Sequence, residues 1–175
     1  MSSISIAGDT SGSIILQAPS VSGSTTLTLP TTSGTVLTTA NTFAAGTGPA
    51  FSAWQSSSQT ISSVTFTKIT FTTEIFDTNN NFASSTFTPT VAGYYQVTSA
   101  IYFATATTAQ LYIYKNGTLY QASPFTSQQG AFVSGLVYLN GSTDYVETYV
   151  YLVTGQSLST GSANTYFQAA MVRGA

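Results

Sequence analysis

"FDTNNNFASSTFTPTVAGYYQV", residues 76–97, decides how the rest of the chain is read. It opens on Phe76-Asp77, passes through Asn79-Asn80-Asn81, and closes on Gly93-Tyr94-Tyr95, where a long alternating run begins. Successive side chains of an extended chain point to opposite faces. Tyr95, Val97, Ser99, Ile101 and Phe103 then share one face, and Tyr94, Gln96, Thr98, Ala100 and Tyr102 share the other. Both faces are partly apolar. A strand of that kind is expected to be covered twice, once inside a sandwich and once by another subunit. Phe71, Ile75, Phe82 and Phe87 are expected as core anchors around the intervening loop, with Gly93 as the break before the strand.

Strand signals continue on both sides of this stretch. Residues 51–54, 64–76, 85–88, 93–104, 109–115, 118–120, 131–139, 144–153 and 164–172 are rich in branched and aromatic side chains, which pack well on a pleated surface. Asn116-Gly117 predicts a tight hairpin turn, because both residues tolerate positive φ. Asn140-Gly141-Ser142 predicts a slightly longer one. No window has a helical period. The expectation is an all-β sandwich or jelly roll.

Composition narrows the function classes. Only 5% of the 175 residues are charged, against roughly 25% in ordinary globular proteins. The 42% of hydrophobic residues still suffices for a core. Lys68, Lys115 and Arg173 are the whole basic complement, so nucleic-acid binding, which needs clustered cations, is disfavoured. The lack of cysteine excludes disulfides and thiolate metal sites. No apolar run approaches the roughly 18 residues of a membrane span, so membrane insertion is not expected. The start, MSSISIAGDT, has no basic stretch followed by an apolar one, so no secretory signal is expected.

The chain divides into an extended N-terminal arm at 1–39, a small-residue linker at 40–50, and a head at 51–175. The arm consists of short strand-like pieces between turn residues, each too small to bury a core alone. It is expected to borrow that core from identical neighbours or from a docking partner. Ile14, Leu16, Leu27, Leu29 and Val36 are its anchoring candidates.

Residues 68–103, "KITFTTEIFDTNNNFASSTFTPTVAGYYQVTSAIYF", resemble the globular head shared by complement C1q and the tumour necrosis factor superfamily. The matching positions are Phe76-Asp77, Asn81-Phe82, Phe87 with Pro89, and Gly93-Tyr94-Tyr95. The Phe87-to-Pro89 spacing is one residue shorter than the commonest form of that pattern. "SGLVYLNGSTDYVETYV" and "YFQAAMV" are similar to later strands of the family, with Gly141 and Asp144 no longer adjacent. The resemblance spans roughly residues 49–173 and implies a ten-stranded jelly roll that assembles as a homotrimer. Residues 12–39 resemble a segment of bacteriophage fibre and other virion proteins. Together the two resemblances imply a virion structural protein. One form is a trimeric fibre or spike, anchored by its arm to other virion proteins of tail or capsid, with loops 122–130 and 154–164 meeting a host surface glycan or protein. A capsid decoration or cement trimer and a soluble carbohydrate-binding module are the alternatives.

Candidate sites follow from chemistry. Asp77 to Asn81 begins like a calcium loop, but Phe82 stands where glycine is needed and Thr88 where glutamate is needed. A structural turn is the preferred reading. No metal residue is assigned and no cofactor is expected. Without histidine, nucleophile–histidine catalysis is absent. Glu74 with Asp77, or Asp144 with Glu147, could pair as glycosidase carboxylates; isolated strand and turn charges are preferred, and no catalytic residue is assigned. Tyr145, Glu147, Tyr149, Tyr151 and Val153 share one strand face. Aromatic faces fill subunit interfaces or stack on sugar rings. Tyr94, Tyr102, Tyr145, Tyr149 and Tyr151 are therefore the candidates for a trimer interface.

Overall fold

The computed structural model describes residues 3–7, 13–17 and 48–175. The chain falls into two compact units, Met1–Val36 and Leu37–Ala175. In the first, β1 (Ser3–Ala7) and β2 (Ser13–Gln17) pair antiparallel, with Ile6 opposite Ile14 and Ile4 opposite Leu16. The anchoring candidates Leu27, Leu29 and Val36 lie outside the described residues.

The second unit carries the remaining strands. They are β3 (Ala50–Trp54), β4 (Thr60–Ile61), β5 (Thr67–Lys68), β6 (Thr73–Asp77), β7 (Phe82–Ala83) and β8 (Thr86–Phe87). After these come β9 (Ala92–Tyr102), β10 (Ala109–Lys115), β11 (Thr118–Ala122), β12 (Gly130–Asn140), β13 (Val146–Leu152), β14 (Gln156–Ser157) and β15 (Tyr166–Gly174). Two sheets face each other. One has the order β12-β9-β15-β3-β6; the other runs β11-β10-β13-β8-β7, with β5 also on β13. β4 and β14 form a small ribbon of their own. Neighbours in each sheet are mostly distant in sequence and all pairs are antiparallel, which makes the head a jelly-roll sandwich.

Alternation fixes which residues fill it. Tyr95, Val97, Ser99, Ile101 and Phe103 point into the sandwich and are essentially fully buried, as the pattern predicts. Phe51 stacks on Phe82 and Phe87 at 4.6 and 4.5 Å and meets Phe167 edge-on at 4.9 Å. Phe71, Phe82 and Phe87 are core residues as expected.

Ile75 is not; it is 57% exposed. β6 is an edge strand, and its pairing with β3 slips between Ser52 and Ala53, so Phe76 faces Ser52 and Glu74 faces Ala53. Ile75 is the extra residue of that bulge, which breaks the alternation on which its assignment rested. The strand expected over 64–76 is likewise two, β5 and β6, in different sheets. Between them Ile69 donates its N–H to Thr148 O, Phe71 to Ser85 Oγ and Thr72 to Trp54 O, so the chain crosses from one sheet to the other with its backbone satisfied.

Both predicted turns form. Asn116 and Gly117 take φ values of 52° and 74° between β10 and β11. Gly141 sits at φ 71°, where a Cβ would lie 2.3 Å from Ala92 N, so only glycine fits. Asn140 Oδ1 accepts the N–H groups of Ser142, Thr143 and Asp144.

Candidate functional site

The head has a proximal and a distal end. The described chain enters at Gly48 and Pro49, where Met171 N–H donates to Pro49 O. Gly174 pairs with Gly93 at that same end. At the opposite end β9 finishes with Tyr102 against Gly130, and β10 begins with Ala109 against Leu152. Loops 122–130 and 154–164, picked out from the sequence as contact loops, therefore both lie at the distal end.

The charged groups sit elsewhere. Lys115 Nζ lies 2.8 Å from Asp144 Oδ2 at the proximal end, and Asn116 Nδ2 donates to Asp144 Oδ1. The Lys115 and Asn116 hydrogen bonds hold the Asp144 carboxyl below its ordinary range. Glu147 has its own cation, Lys68, at 2.6 Å, and also accepts from Thr86 Oγ1. Asp144 and Glu147 are thus two separate ion pairs and not one acid–base couple. Asp77 accepts the backbone N–H groups of Asn79 and Phe82, and Asn81 Oδ1 accepts from Thr90. The triple-asparagine stretch is a turn whose side-chain oxygens serve its own backbone.

The five tyrosines proposed for one interface occupy two opposite surfaces. Tyr94 and Tyr102 point outward from β9 in the five-stranded sheet, 41% and 39% exposed. Beside them on β12 are Phe132, Leu136 and Tyr138, exposed by 55, 52 and 40%. Ala100 faces Phe132, Gln96 faces Leu136, and Tyr94 faces Tyr138. Tyr94, Leu136, Val172 and Arg173 line a cleft of about 670 Å³ on this face. The polar residues between the apolar ones satisfy each other: Gln96 Nε2 donates to Ser134 Oγ at 2.7 Å, and Thr98 Oγ1 lies 3.2 Å from the same oxygen. Phe132, Leu136 and Tyr138 were missing from the candidates, although residues 131–139 show the same two-sided apolar alternation as β9.

Tyr145, Tyr149 and Tyr151 lie on the other side. Tyr149 and Tyr151 face outward from β13, at the centre of the six-stranded sheet, and Tyr145 immediately precedes that strand. Tyr149 packs on Tyr114 at 4.3 Å, and Tyr151 on Phe66 at 5.2 Å and Phe125 at 6.3 Å. Phe66 also covers Tyr112 at 5.2 Å. Burial, then the charge of Glu147, pushes the Tyr149 phenol up; burial, then Tyr114, does the same for Tyr112. Phe66 falls within the strand expected over 64–76 but lies in the loop just before β5, and Phe125 carries no signal because an isolated aromatic in a loop has no period.

With that geometry in hand the fold can be placed among known structures. No family model and no curated protein matches the chain. Murine APRIL superposes with a TM-score of 0.58 at 11% identity, over 71% of this chain and 98% of that one. The globular domain of zebrafish complement 1qA gives 0.52 at 19%, over 73% and 99%. PRD1 vertex protein P5 gives 0.57 at 17%, over 73% and 99%. The head has the jelly-roll fold of C1q- and tumour-necrosis-factor-like proteins. At these identities the likeness is one of fold.

Proposed function

We propose that the chain is a non-enzymatic virion structural protein, a bacteriophage spike or fibre that works as a homotrimer. Residues 1–39 anchor it to other virion proteins, residues 40–50 link, and the head at 51–175 meets the host surface. The observation that carries this reading is the bare apolar face of β12 and β9. An antiparallel sheet with one solvated face should present polar residues there, and contiguous apolar patches mark sites of association. Three copies closing around this face would cover Tyr94, Tyr102, Phe132, Leu136 and Tyr138 together. The distal loops would remain free, at the end opposite to Gly48 and Pro49. The fold likeness to a PRD1 vertex protein supports a virion setting, and it also favours a second reading, a capsid decoration or cement trimer.

Sedimentation of the full chain at low concentration tests assembly. A trimer is expected; a well-folded single subunit would overturn the reading. Deleting residues 1–39 should abolish incorporation into particles while the head stays trimeric. Loss of adsorption on loop substitution supports the spike, whereas loss of particle stability with normal adsorption supports the cement protein.

A further inference from the structure

We infer that the distal end of the head binds an uncharged sugar, through a hydroxyl- and amide-lined cleft near the exposed rings of Phe66 and Phe125, which flank the half-buried Tyr151; the inference rests on the host-contact reading above. Four segments build this end: 55–63, 103–109, 122–130 and 153–165. None contains a single Asp, Glu, Lys or Arg. The described charges all lie on the strands, on the crossing segment or toward the proximal end. A phosphate-bearing or acidic ligand would find no countercharge here, and a nucleic acid still less.

What the distal end offers instead is neutral hydrogen bonding. A cleft of about 290 Å³ is lined by Thr107, Thr108, Ser127, Thr154 and Gln156, with Ala106. Thr108 Oγ1 and Ser127 Oγ share one hydrogen bond at 3.0 Å. A hydroxyl has one proton and two lone pairs, so this pair keeps capacity for a ligand. Gln156 meets Thr105 Oγ1 with its amide nitrogen at 2.7 Å and its amide oxygen at 3.0 Å and keeps a second N–H. Donors and acceptors side by side, without charge, match the hydroxyl rim of a sugar.

The aromatic component lies on the same chain segments as the cleft lining. Phe125 is two residues from Ser127 and 57% exposed; Phe66 is 53% exposed. Their rings flank Tyr151 at 6.3 and 5.2 Å. Tyr151 precedes Thr154 by three residues, about 10 Å of extended chain. Exposed rings supply the flat apolar surface on which the C–H face of a sugar stacks. Val64, two residues before Phe66, is 65% exposed and held at φ 56°, an unfavourable conformation for a β-branched residue that tends to be kept at functional surfaces.

The cleft is also built in advance. Phe103 N–H donates to Gln129 O at 2.6 Å, Val153 N–H to Thr108 O at 2.9 Å, and Ala109 and Thr126 exchange both backbone bonds. Three loops are thereby tied together before any ligand arrives, which lowers the ordering cost of binding. A protein partner would be expected to need a larger continuous apolar centre than this small polar cleft presents.

The test uses the full chain on immobilised neutral oligosaccharides alongside their sialylated and sulfated counterparts. Binding to a neutral member is expected, unchanged between about 0.05 and 0.5 M salt because no charge takes part. Phe125→Ala should weaken it about tenfold, and Ser127→Ala combined with Gln156→Ala by about tenfold or more, with the oligomeric state and melting temperature unchanged. Binding confined to the charged glycans, or insensitive to both variants, overturns the assignment. A second arm measures adsorption of the full chain to host cells before and after periodate oxidation of their surface glycans. Adsorption lost on oxidation and on Phe125→Ala supports the inference. Adsorption that survives oxidation leaves host contact standing and removes the sugar; no adsorption and no glycan binding removes both.

Discussion

On the six-stranded sheet Tyr114 and Tyr149 lie ring to ring at 4.3 Å, Tyr151 is held between Phe66 and Phe125, and Glu147 is paired with Lys68. On the five-stranded sheet Tyr102, Phe132 and Leu136 stand 39, 55 and 52% exposed, and Tyr94 and Tyr138 have mainly each other, at 5.4 Å. Both faces are rich in aromatic residues. On the first the rings of β13 are covered within one subunit, Tyr151 by Phe66 and Phe125, which are themselves 53 and 57% exposed; on the second the rings of the strands themselves face water. Aromatic content alone therefore does not identify an interface. What separates the two faces is whether neighbouring segments, here the loops around 66 and 125, fold over the rings.

A charge placed on each face in turn separates them most directly. Leu136→Glu places a carboxylate on the exposed face of β12, where the free subunit tolerates it. In the proposed trimer that carboxylate would be buried without a partner, at a cost of about 3–5 kcal/mol per copy. Sedimentation should show folded single subunits. Phe66→Glu, on the other face, should leave the oligomer intact. If Leu136→Glu sediments as the parent does, the five-stranded face is not where subunits meet.

Stability of the isolated subunit sharpens the contrast on a smaller scale. In the Leu136→Glu background, Tyr149→Ala removes the ring stacked on Tyr114 and uncovers the Glu147 pair. A loss of about 1–3 kcal/mol in urea unfolding is expected. Tyr102→Ala in the same background loses an exposed ring and should cost no more than about 0.5–1 kcal/mol. Equal losses would mean that both faces are equally self-packed.

The sequence disclosed the fold because its signals are local. The alternation in β9, the Asn116-Gly117 turn and the phenylalanines around the triple asparagine each specify a few residues, and each appears in the structure as expected. The two-sided apolar pattern of β9 also announced that its outer face carries exposed apolar residues. The site was less legible because its grouping is long-range. Alternation says that Tyr149 and Tyr151 share a face of β13, but not which sheet β13 joins; that depends on pairing with β10, β8 and β5. Tyr94 and Tyr149, both interface candidates, lie on different sheets for this reason. Ile75 was misplaced because one bulged residue resets a period of two, and nothing in "TEIFD" marks the slip.

Ionisation gives the finest probe of how closed the six-stranded face is. Tyr112 and Tyr149 have pKa values raised chiefly by burial, with neighbouring Glu147 and tyrosines adding to it. An unfolded chain ionises these phenols near pH 10. The folded state keeps its protons longer, so the stability they represent is intact below about pH 10 and is lost as pH rises through the folded values. Tyr149→Phe and Tyr112→Phe should each flatten that alkaline decline and remove one late-ionising phenol from the phenolate absorbance titration. Tyr95, inside the sandwich and pushed up to about 12 by burial, should be later still, so Tyr95→Phe marks the end of the curve and calibrates it. Should Tyr149→Phe remove absorbance from the early part of the titration, the rings on β13 are open to water. The two faces would then differ less than their packing distances imply.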